Sequence, residues 1–342
     1  MQEKYMKMCI ELAKQAEGMT SPNPLVGCVV TDEFDNVVAT GYHHKCGENH
    51  AERDALLKIN KGMGETLYVN LEPCSHWGKT PPCTDIIIEK GIKNVVVGTL
   101  DPNPKVSGIQ ILTDAGINVQ TGVLENECLK LNEIFFKNIK EHKTFIALKT
   151  ATTLDGKIAT SSGSSKWITG ESAREEVKKI RNRYDAILTS SSTVLADNPT
   201  MTHRKKVILD RTLKTDLNSN IYQDGEIYIF NELKQQDDGR IHFIKTPTFE
   251  NKISLEFVFA RLYELGIMSV LIEAGGKLNG RALKYVDKIY HFIAPKITGD
   301  NNSKSCFDYR NITEISECKE FELSEINHFN KDILLTYYPV NQ

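Results

Sequence analysis

The sequence predicts two α/β domains in tandem, each with helices layered on a largely parallel sheet, and three observations predict it. At 342 residues the chain exceeds what one ordinary core organises and is about twice a typical domain of roughly 150 residues. Strand-length apolar runs alternate with segments of helical period along its whole length, which is the pattern of βα units. No tandem repeat relates the halves, and their motifs differ, so two unlike domains are expected.

Taken in order, the spacing of Tyr5, Met8, Leu12 and Ala16 predicts a helix over about 2–17, followed by a Ser-Pro-Asn-Pro turn at 21–24. A strand over 25–31 returns through a hairpin at 36–40. A helix opens near His50, a strand covers 66–70, a helix 84–90 and a strand 94–99, and a further helix-then-strand unit ends near Val119. Together these make a three-layer sandwich over residues 1–121. Residues 122–143 read as a linking helix, and the second domain occupies 144–342, opening on the apolar strand 144–149. There a helix is expected at 171–184, with Thr169 as its N-cap and Ala173, Val177, Ile180 and Tyr184 on one face. Strands are expected at 186–189, 207–210, 226–230, 269–273, 289–294 and 333–338, with helices at about 255–265 and 278–286.

Apolar residues make up 40% and charged residues 25% of the chain, with no low-complexity tract, as expected of an ordered globular protein. The formal net charge is −3, and the compact basic cluster of the second half, Arg204-Lys205-Lys206, is too short to track a phosphate backbone, which argues against a nucleic-acid partner. The charged, amphipathic N-terminus lacks the apolar core of a signal peptide, and no apolar run approaches the roughly 18 residues of a membrane span. A cytoplasmic protein is expected. In a reducing compartment, paired Cys and His spacing points to metal rather than disulfides. Cys9, Cys28, Cys46, Cys128, Cys306 and Cys318 then read as small apolar residues.

The chemistry-bearing pattern is His50-Ala51-Glu52, then Glu72-Pro73-Cys74 and, beyond an eight-residue loop, Cys83. One imidazole and two thiols suit zinc and leave one tetrahedral position for water, where a structural zinc normally takes four protein ligands. Glu52, two residues from the His and not itself a ligand, can take a proton from that water and deliver it to a leaving amine. His50, Glu52, Pro73, Cys74 and Cys83 match the zinc-deaminase arrangement by type and order. The eight residues between the cysteines, Ser75 to Pro82, replace the usual two. Their Gly and two Pro suit a rigid loop that returns Cys83 to a helix N-terminus, and His76 and Lys79 on it can meet an anionic substrate. Two blander readings remain open at this point: His76 as a further ligand of a structural zinc, and Cys83 as an ordinary helix residue.

Longer motifs carry a resemblance. Ser21-Pro22-Asn23-Pro24-Leu25-Val26-Gly27, Gly41-Tyr42-His43, His50-Ala51-Glu52, the run from Leu71 to Cys83, and Asp101 to Gly108 resemble the first half of the bifunctional riboflavin-biosynthesis deaminase/reductase family. Asp155-Gly156-Lys157-Ile158-Ala159, Trp167-Ile168-Thr169-Gly170, Thr193 to Pro199, and Glu273-Ala274-Gly275-Gly276 resemble its second half. The resemblance implies a cytidine-deaminase-like domain fused to a dihydrofolate-reductase-like domain. It implies zinc-dependent removal of an amino group from 2,5-diamino-6-(5-phosphoribosylamino)pyrimidin-4-one, and then NADPH-dependent reduction of the ribosyl group to ribityl.

Carried over by position, His50, Cys74 and Cys83 become zinc ligands and Glu52 the proton shuttle, with Asn23, His43, His76, Lys79, Asp101 and Asn103 on the substrate. In the second half Ala151, Trp167, Thr193, Asp197 and the turn Gly275, Gly276, Lys277, Leu278, Asn279, Gly280, Arg281 are expected to face NADPH. Ser165, Arg181, Met201, Arg204 and Glu273 are expected along the phosphorylated substrate. Lys149, read as the desolvated end of an apolar strand, is assigned to catalysis near the ribosyl C1 carbon. One departure from the family is Asn198, where an acid often precedes Pro199. The last apolar strand and the resemblance together lead to the expectation of a homo-oligomer. The competing readings are a deaminase of another base with an unrelated appendage, and a zinc-stabilised nucleotide sensor.

Overall fold

The computed structural model describes residues 2–78, 80–308 and 311–340. The chain divides into two compact units, Met1–His142 and Lys143–Gln342.

In the first unit, α1 (Gln2–Lys14) lies against β1 (Gly27–Thr31), which turns into β2 (Val37–Tyr42). The helix stops earlier than its apolar period predicts, because residues 15–17 close on Leu12, Ala13 and Lys14 by three-residue bonds. Then follow α2 (Ala51–Leu56), β3 (Thr66–Leu71), α3 (Cys83–Lys90), β4 (Asn94–Thr99), α4 (Gly108–Asp114) and β5 (Asn118–Gln120). The sheet order is β2-β1-β3-β4-β5. Strands β3, β4 and β5 are parallel, whereas β1 runs antiparallel to both its neighbours, so the sheet is less uniformly parallel than expected. The cause is local. Asp32 takes the amides of Phe34 and Asn36, which makes a tight turn that can only return antiparallel. Period-two alternation divides the core. Cys28, Val30, Leu67, Val69, Val95 and Val97 face α2, α3 and α4, and Val29, Tyr68 and Val96 face α1 and Cys128. This is the αβα sandwich.

The expected linking helix is in fact two, α5 (Glu125–Leu131) and α6 (Glu133–Glu141). The break falls at Asn132, whose buried side chain accepts from Leu25 N at 2.8 Å and donates to Leu25 O at 2.9 Å. These bonds fasten the segment to the turn before β1.

The second unit opens on β6 (Phe145–Thr153), which runs four residues past its apolar stretch, so Lys149 sits in mid-strand and not at its end. Next come β7 (Lys157–Ala159), α7 (Glu171–Asn182), β8 (Ala186–Ser190), α8 (Ser191–Asp197) and β9 (Lys205–Leu209). They are followed by β10 (Glu226–Asn231), β11 (Gln236–Asp238), β12 (Ile241–Lys245), β13 (Thr248–Phe249) and β14 (Lys252–Ile253). The chain ends through α9 (Leu255–Glu264), β15 (Ser269–Ile272), α10 (Gly276–Ala282), β16 (Lys288–Ala294), β17 (Lys304–Ser305), β18 (Phe321–Phe329) and β19 (Asp332–Pro339).

The large sheet has ten strands in the order β11-β12-β10-β9-β8-β15-β6-β16-β19-β18. From β12 to β16 every neighbour is parallel, and antiparallel strands close both ends. Thr169 is not the N-cap of α7. Gly170 takes that place, its amide donating to Asp332 Oδ2 at 2.6 Å, and Thr169 O receives Arg174 Nη1 instead. Asn198, the departure noted in the sequence, ends α8 at φ 40°, a left-handed position that Asn tolerates better than most residues.

Candidate active sites

In the first unit the site is assembled at the carboxyl ends of parallel strands, where open α/β sheets place their ligands. His50 is the N-cap of α2, and Glu52 enters the first turn of that helix only 3% exposed. Gly41 allows this closeness, since a Cβ there would stand 2.4 Å from Ala51 O. Cys74 follows β3, and Cys83 is the first residue of α3. The long loop between them is drawn shut at its base, with the amides of Cys83 and Thr84 donating to Cys74 O at 3.1 and 3.3 Å. Gly108 lets α4 reach Pro73, where a side chain would meet Pro73 O at 2.0 Å. Glu72 is not a ligand. Its carboxylate accepts from the amides of Asp101 and Ile109 and ties this segment to the next loop.

His50 Nδ1 lies 3.4 Å from Cys74 Sγ and 3.5 Å from Cys83 Sγ, and all three ligand atoms fall within 4.8 Å of one another. The Cys83 side chain, ahead of His50, draws the Cys74 thiol down to about 4 against the opposing effect of burial. A thiolate beside an imidazole is the donor chemistry a zinc ion takes, so the residues fit the metal. Burial, aided by Cys74, pushes the Glu52 carboxyl up to about 7, the range in which a group both takes and gives a proton.

His43 is buried beside this cluster, its ring edge-on to that of His50 at 5.3 Å. His43 Nδ1 faces Asn49 O at 3.0 Å and must carry the proton, so Nε2 is left to accept from Asn23 Nδ2 at 3.1 Å. Burial raises Asp101 to about 6, with Glu72 adding to the effect and His76 opposing it. The structure therefore gathers Asn23, His43, Glu52 and Asp101 around the ligand cluster. Asn103 Oδ1 is turned to the amide of Lys105, and His76 is exposed on the loop. Lys79 lies outside the described residues.

In the second unit a cavity of about 1130 Å³ opens over the carboxyl ends of β6, β15, β8 and β9. Such a volume accepts a dinucleotide together with a second ligand. Lys149, Ala151, Ser165, Trp167, Arg181, Thr193, Asp197, Met201, Glu273, Gly275, Gly276, Lys277, Leu278 and Arg281 all line it. Arg204, Asn279 and Gly280 do not. Arg204 is exposed before β9, and Asn279 is buried on the inner side of α10, donating to Cys306 O. At the floor, Glu273 bonds Arg181 through both oxygens, at 2.5 and 3.0 Å, and Lys149 Nζ at 2.9 Å. Burial alone would raise this carboxyl, but Lys149 and Arg181 override it and hold it at about 2. The desolvated Lys149 expected from sequence is thus an ion-paired one. At the rim Arg174 stacks on the exposed Trp167 ring at 4.5 Å. Sequence reasoning missed Ser190, Arg174, Lys178, Arg211, Thr212 and Lys214. The signal for three of these was the position just past the expected strands ending at 189 and 210.

An αβα unit with a three-ligand cluster beside a buried acid, followed by a ten-stranded unit with a dinucleotide-sized cavity, defines the class: a zinc-dependent deaminase joined to a reductase. Residues 1–99 match the cytidine and deoxycytidylate deaminase zinc-binding region, and residues 144–335 match the RibD C-terminal domain. The riboflavin biosynthesis protein RibD of Actinobacillus pleuropneumoniae is 39% identical over 98% of this chain and 95% of its own length. Its Escherichia coli counterpart is 35% identical over 97% and 98%. A Thermotoga maritima diaminohydroxyphosphoribosylaminopyrimidine deaminase/5-amino-6-(5-phosphoribosylamino)uracil reductase superposes with a TM-score of 0.90 at 37% identity, covering 99% of both chains. Acinetobacter baumannii RibD gives 0.89 at 32% identity. The chain belongs to the RibD family of bifunctional riboflavin-biosynthesis proteins.

Proposed function

We infer that this chain performs two consecutive steps of riboflavin biosynthesis. The first is hydrolytic deamination of diaminohydroxyphosphoribosylaminopyrimidine. The second is NADPH-dependent reduction of the ribosyl group of the product, 5-amino-6-(5-phosphoribosylamino)uracil, to ribityl. The observation that carries the reading is one chain holding both the His50–Cys74–Cys83 cluster with its buried, non-ligating Glu52 and the cavity floored by Lys149, Glu273 and Arg181.

In the first reaction His50, Cys74 and Cys83 hold the zinc, which when bound supplies Lewis-acid activation of water. Glu52 takes the water's proton and delivers it to the departing amine. His43 and Asn23 orient the pyrimidine ring. Asp101, Asn103, His76 and Lys79 meet the remaining polar groups and the phosphoribosyl part. In the second, NADPH supplies the hydride. Ala151, Trp167, Thr193, Asp197 and the residues of the Gly275–Arg281 turn that line the cavity hold the cofactor. Ser165, Met201, Arg181 and Glu273 belong to the substrate side, Arg204 is kept there by the resemblance alone since it does not line the cavity, and Lys149, paired with Glu273, acts at the ribosyl C1 carbon.

The test is coupled turnover. Given the diaminopyrimidine phosphate and NADPH, the chain is expected to release ammonia and consume NADPH. A chelator stops both, and adding the deaminated uracil directly restores NADPH consumption alone. Ammonia release from metal-free protein, or no oxidation of NADPH with the uracil, overturns the reading.

The working compartment in this reading is the cytoplasm, where cysteines stay reduced and Cys74 and Cys83 are available to a metal. Among the described residues no helix is long and apolar enough to cross a membrane. The oligomer is assigned to β18. This edge strand is exposed along nearly its whole length on both faces, with Leu323 44% and Ile326 54% exposed. An uncovered edge with apolar residues is a pairing surface. Leu323→Lys together with Ile326→Lys is expected to convert the assembly to monomer by light scattering. An unchanged mass removes this assignment.

A further inference from the structure

We propose that His203, on the loop between α8 and β9, is a positioning residue for the reduction: its imidazole braces the last turn of α7 and so holds Arg181 on Glu273. This role rests on the reductase reading above and adds to it a residue that belongs to no motif of the resemblance and does not line the cavity.

The ring is fixed first on its own side. Gly225 lets the start of β10 press on the loop, since a Cβ there would stand 2.5 Å from His203 O, and Glu226 N donates to Arg204 O at 2.8 Å. His203 Nδ1 meets the backbone of Lys205, where β9 begins. In the neutral ring it accepts from Lys205 N at 3.2 Å, and in the protonated ring it donates to Lys205 O at 2.9 Å. The ring therefore keeps its place in both states.

The other nitrogen spans to α7. Nε2 lies 3.2 Å from Arg181 O and 3.0 Å from Tyr184 O, and since both are acceptors it carries a proton in either state. Carbonyls at the end of a helix lack the amide one turn on, so a donor from outside decides where that turn rests. Here the turn carries the chemistry of the cavity floor. The Arg181 guanidinium bonds both oxygens of Glu273, and the same carboxylate takes Lys149 Nζ at 2.9 Å. Tyr184, 2% exposed, donates to Tyr290 Oη at 3.1 Å, and Tyr290 faces Lys149 in the register of β16 on β6. A displaced last turn is thus passed to Glu273 and Lys149 along two routes.

Two amides of similar character divide the ring into its halves. Gln places its nitrogen where Nε2 stands and reaches α7, whereas the shorter Asn keeps the Lys205 contact and stops short of the helix. His203→Asn is expected to lower kcat for reduction of the uracil by about 10- to 100-fold, with the KM for NADPH within about twofold and ammonia release unchanged. His203→Gln is expected to stay within about threefold of wild type. In an Arg181→Gln background His203→Asn is expected to cost less than about twofold more, because the two act through one contact. Equal rates for the Asn and Gln variants, a loss shared by the KM for NADPH, or a full additional loss on top of Arg181→Gln overturns the assignment and leaves the reductase reading standing. A wild type that does not oxidise NADPH with the uracil overturns both.

Discussion

Glu52→Ala is expected to retain its zinc and its NADPH-dependent reduction of the uracil while ammonia release falls by about 10²- to 10⁴-fold, the usual contribution of a positioned acid–base group. The contrast follows from placement. Glu52 is the second residue of α2, two past His50, buried, and absent from the ligand cluster, so removing its carboxylate leaves the imidazole and both sulfurs in place. The reductase residues belong to the other compact unit. Metal content by mass spectrometry, with ammonia and NADPH assays on the same preparation, checks all three. A variant that lost its zinc would make Glu52 a structural support of the metal site. One that kept more than about a tenth of the deamination rate would remove the carboxylate from the proton transfer.

The deaminase cluster could be read from sequence because each half of it is local. His50 and Glu52 share one helical turn, and Cys74 and Cys83 close a single loop, so residue type and spacing carry most of the geometry. The cavity of the second unit was less legible. Its lining comes from strand ends adjacent in the order β9-β8-β15-β6, an order the linear chain does not display, and so the resemblance supplied residues that spacing alone did not. Short elements escaped for a related reason. Strands β11, β13 and β14 are defined by pairing partners rather than by apolar alternation, and β18 is so exposed that it has no buried face to betray it. The break at Asn132 was equally hidden, since it depends on a bond to Leu25 more than a hundred residues away. Lys149 was misplaced because Thr150 to Thr153 look like the start of a loop. They remain in the strand by pairing with His291 to Ala294 of β16.

Replacing Glu273 by Gln is expected to destabilise the second unit by about 3–5 kcal/mol at neutral pH, the cost of breaking a buried ion pair and leaving its partners uncompensated. The expected fall in midpoint temperature is about 6–20 °C. Glu273 is 6% exposed and holds two cations, Lys149 and Arg181, whose side chains are 15% and 25% exposed, so water compensates little. The sign with pH follows from the depressed acid. In the folded unit the carboxyl titrates at about 2, below its usual 4.5, so its stabilisation is complete above pH 4.5 and is lost as pH falls toward 2. The gap between wild type and Glu273→Gln is therefore expected to narrow over that interval in chemical denaturation followed in the second unit. A gap independent of pH would mean that packing, not charge, sets the loss. Lys149→Met separates structure from catalysis. Added to Glu273→Gln it is expected to recover part of the stability, because one unpaired cation has gone, while alone it is expected to slow reduction without displacing bound cofactor. Normal reduction by Lys149→Met would confine this lysine to holding Glu273, and the chemistry at the ribosyl carbon would then fall to the other groups of the cavity.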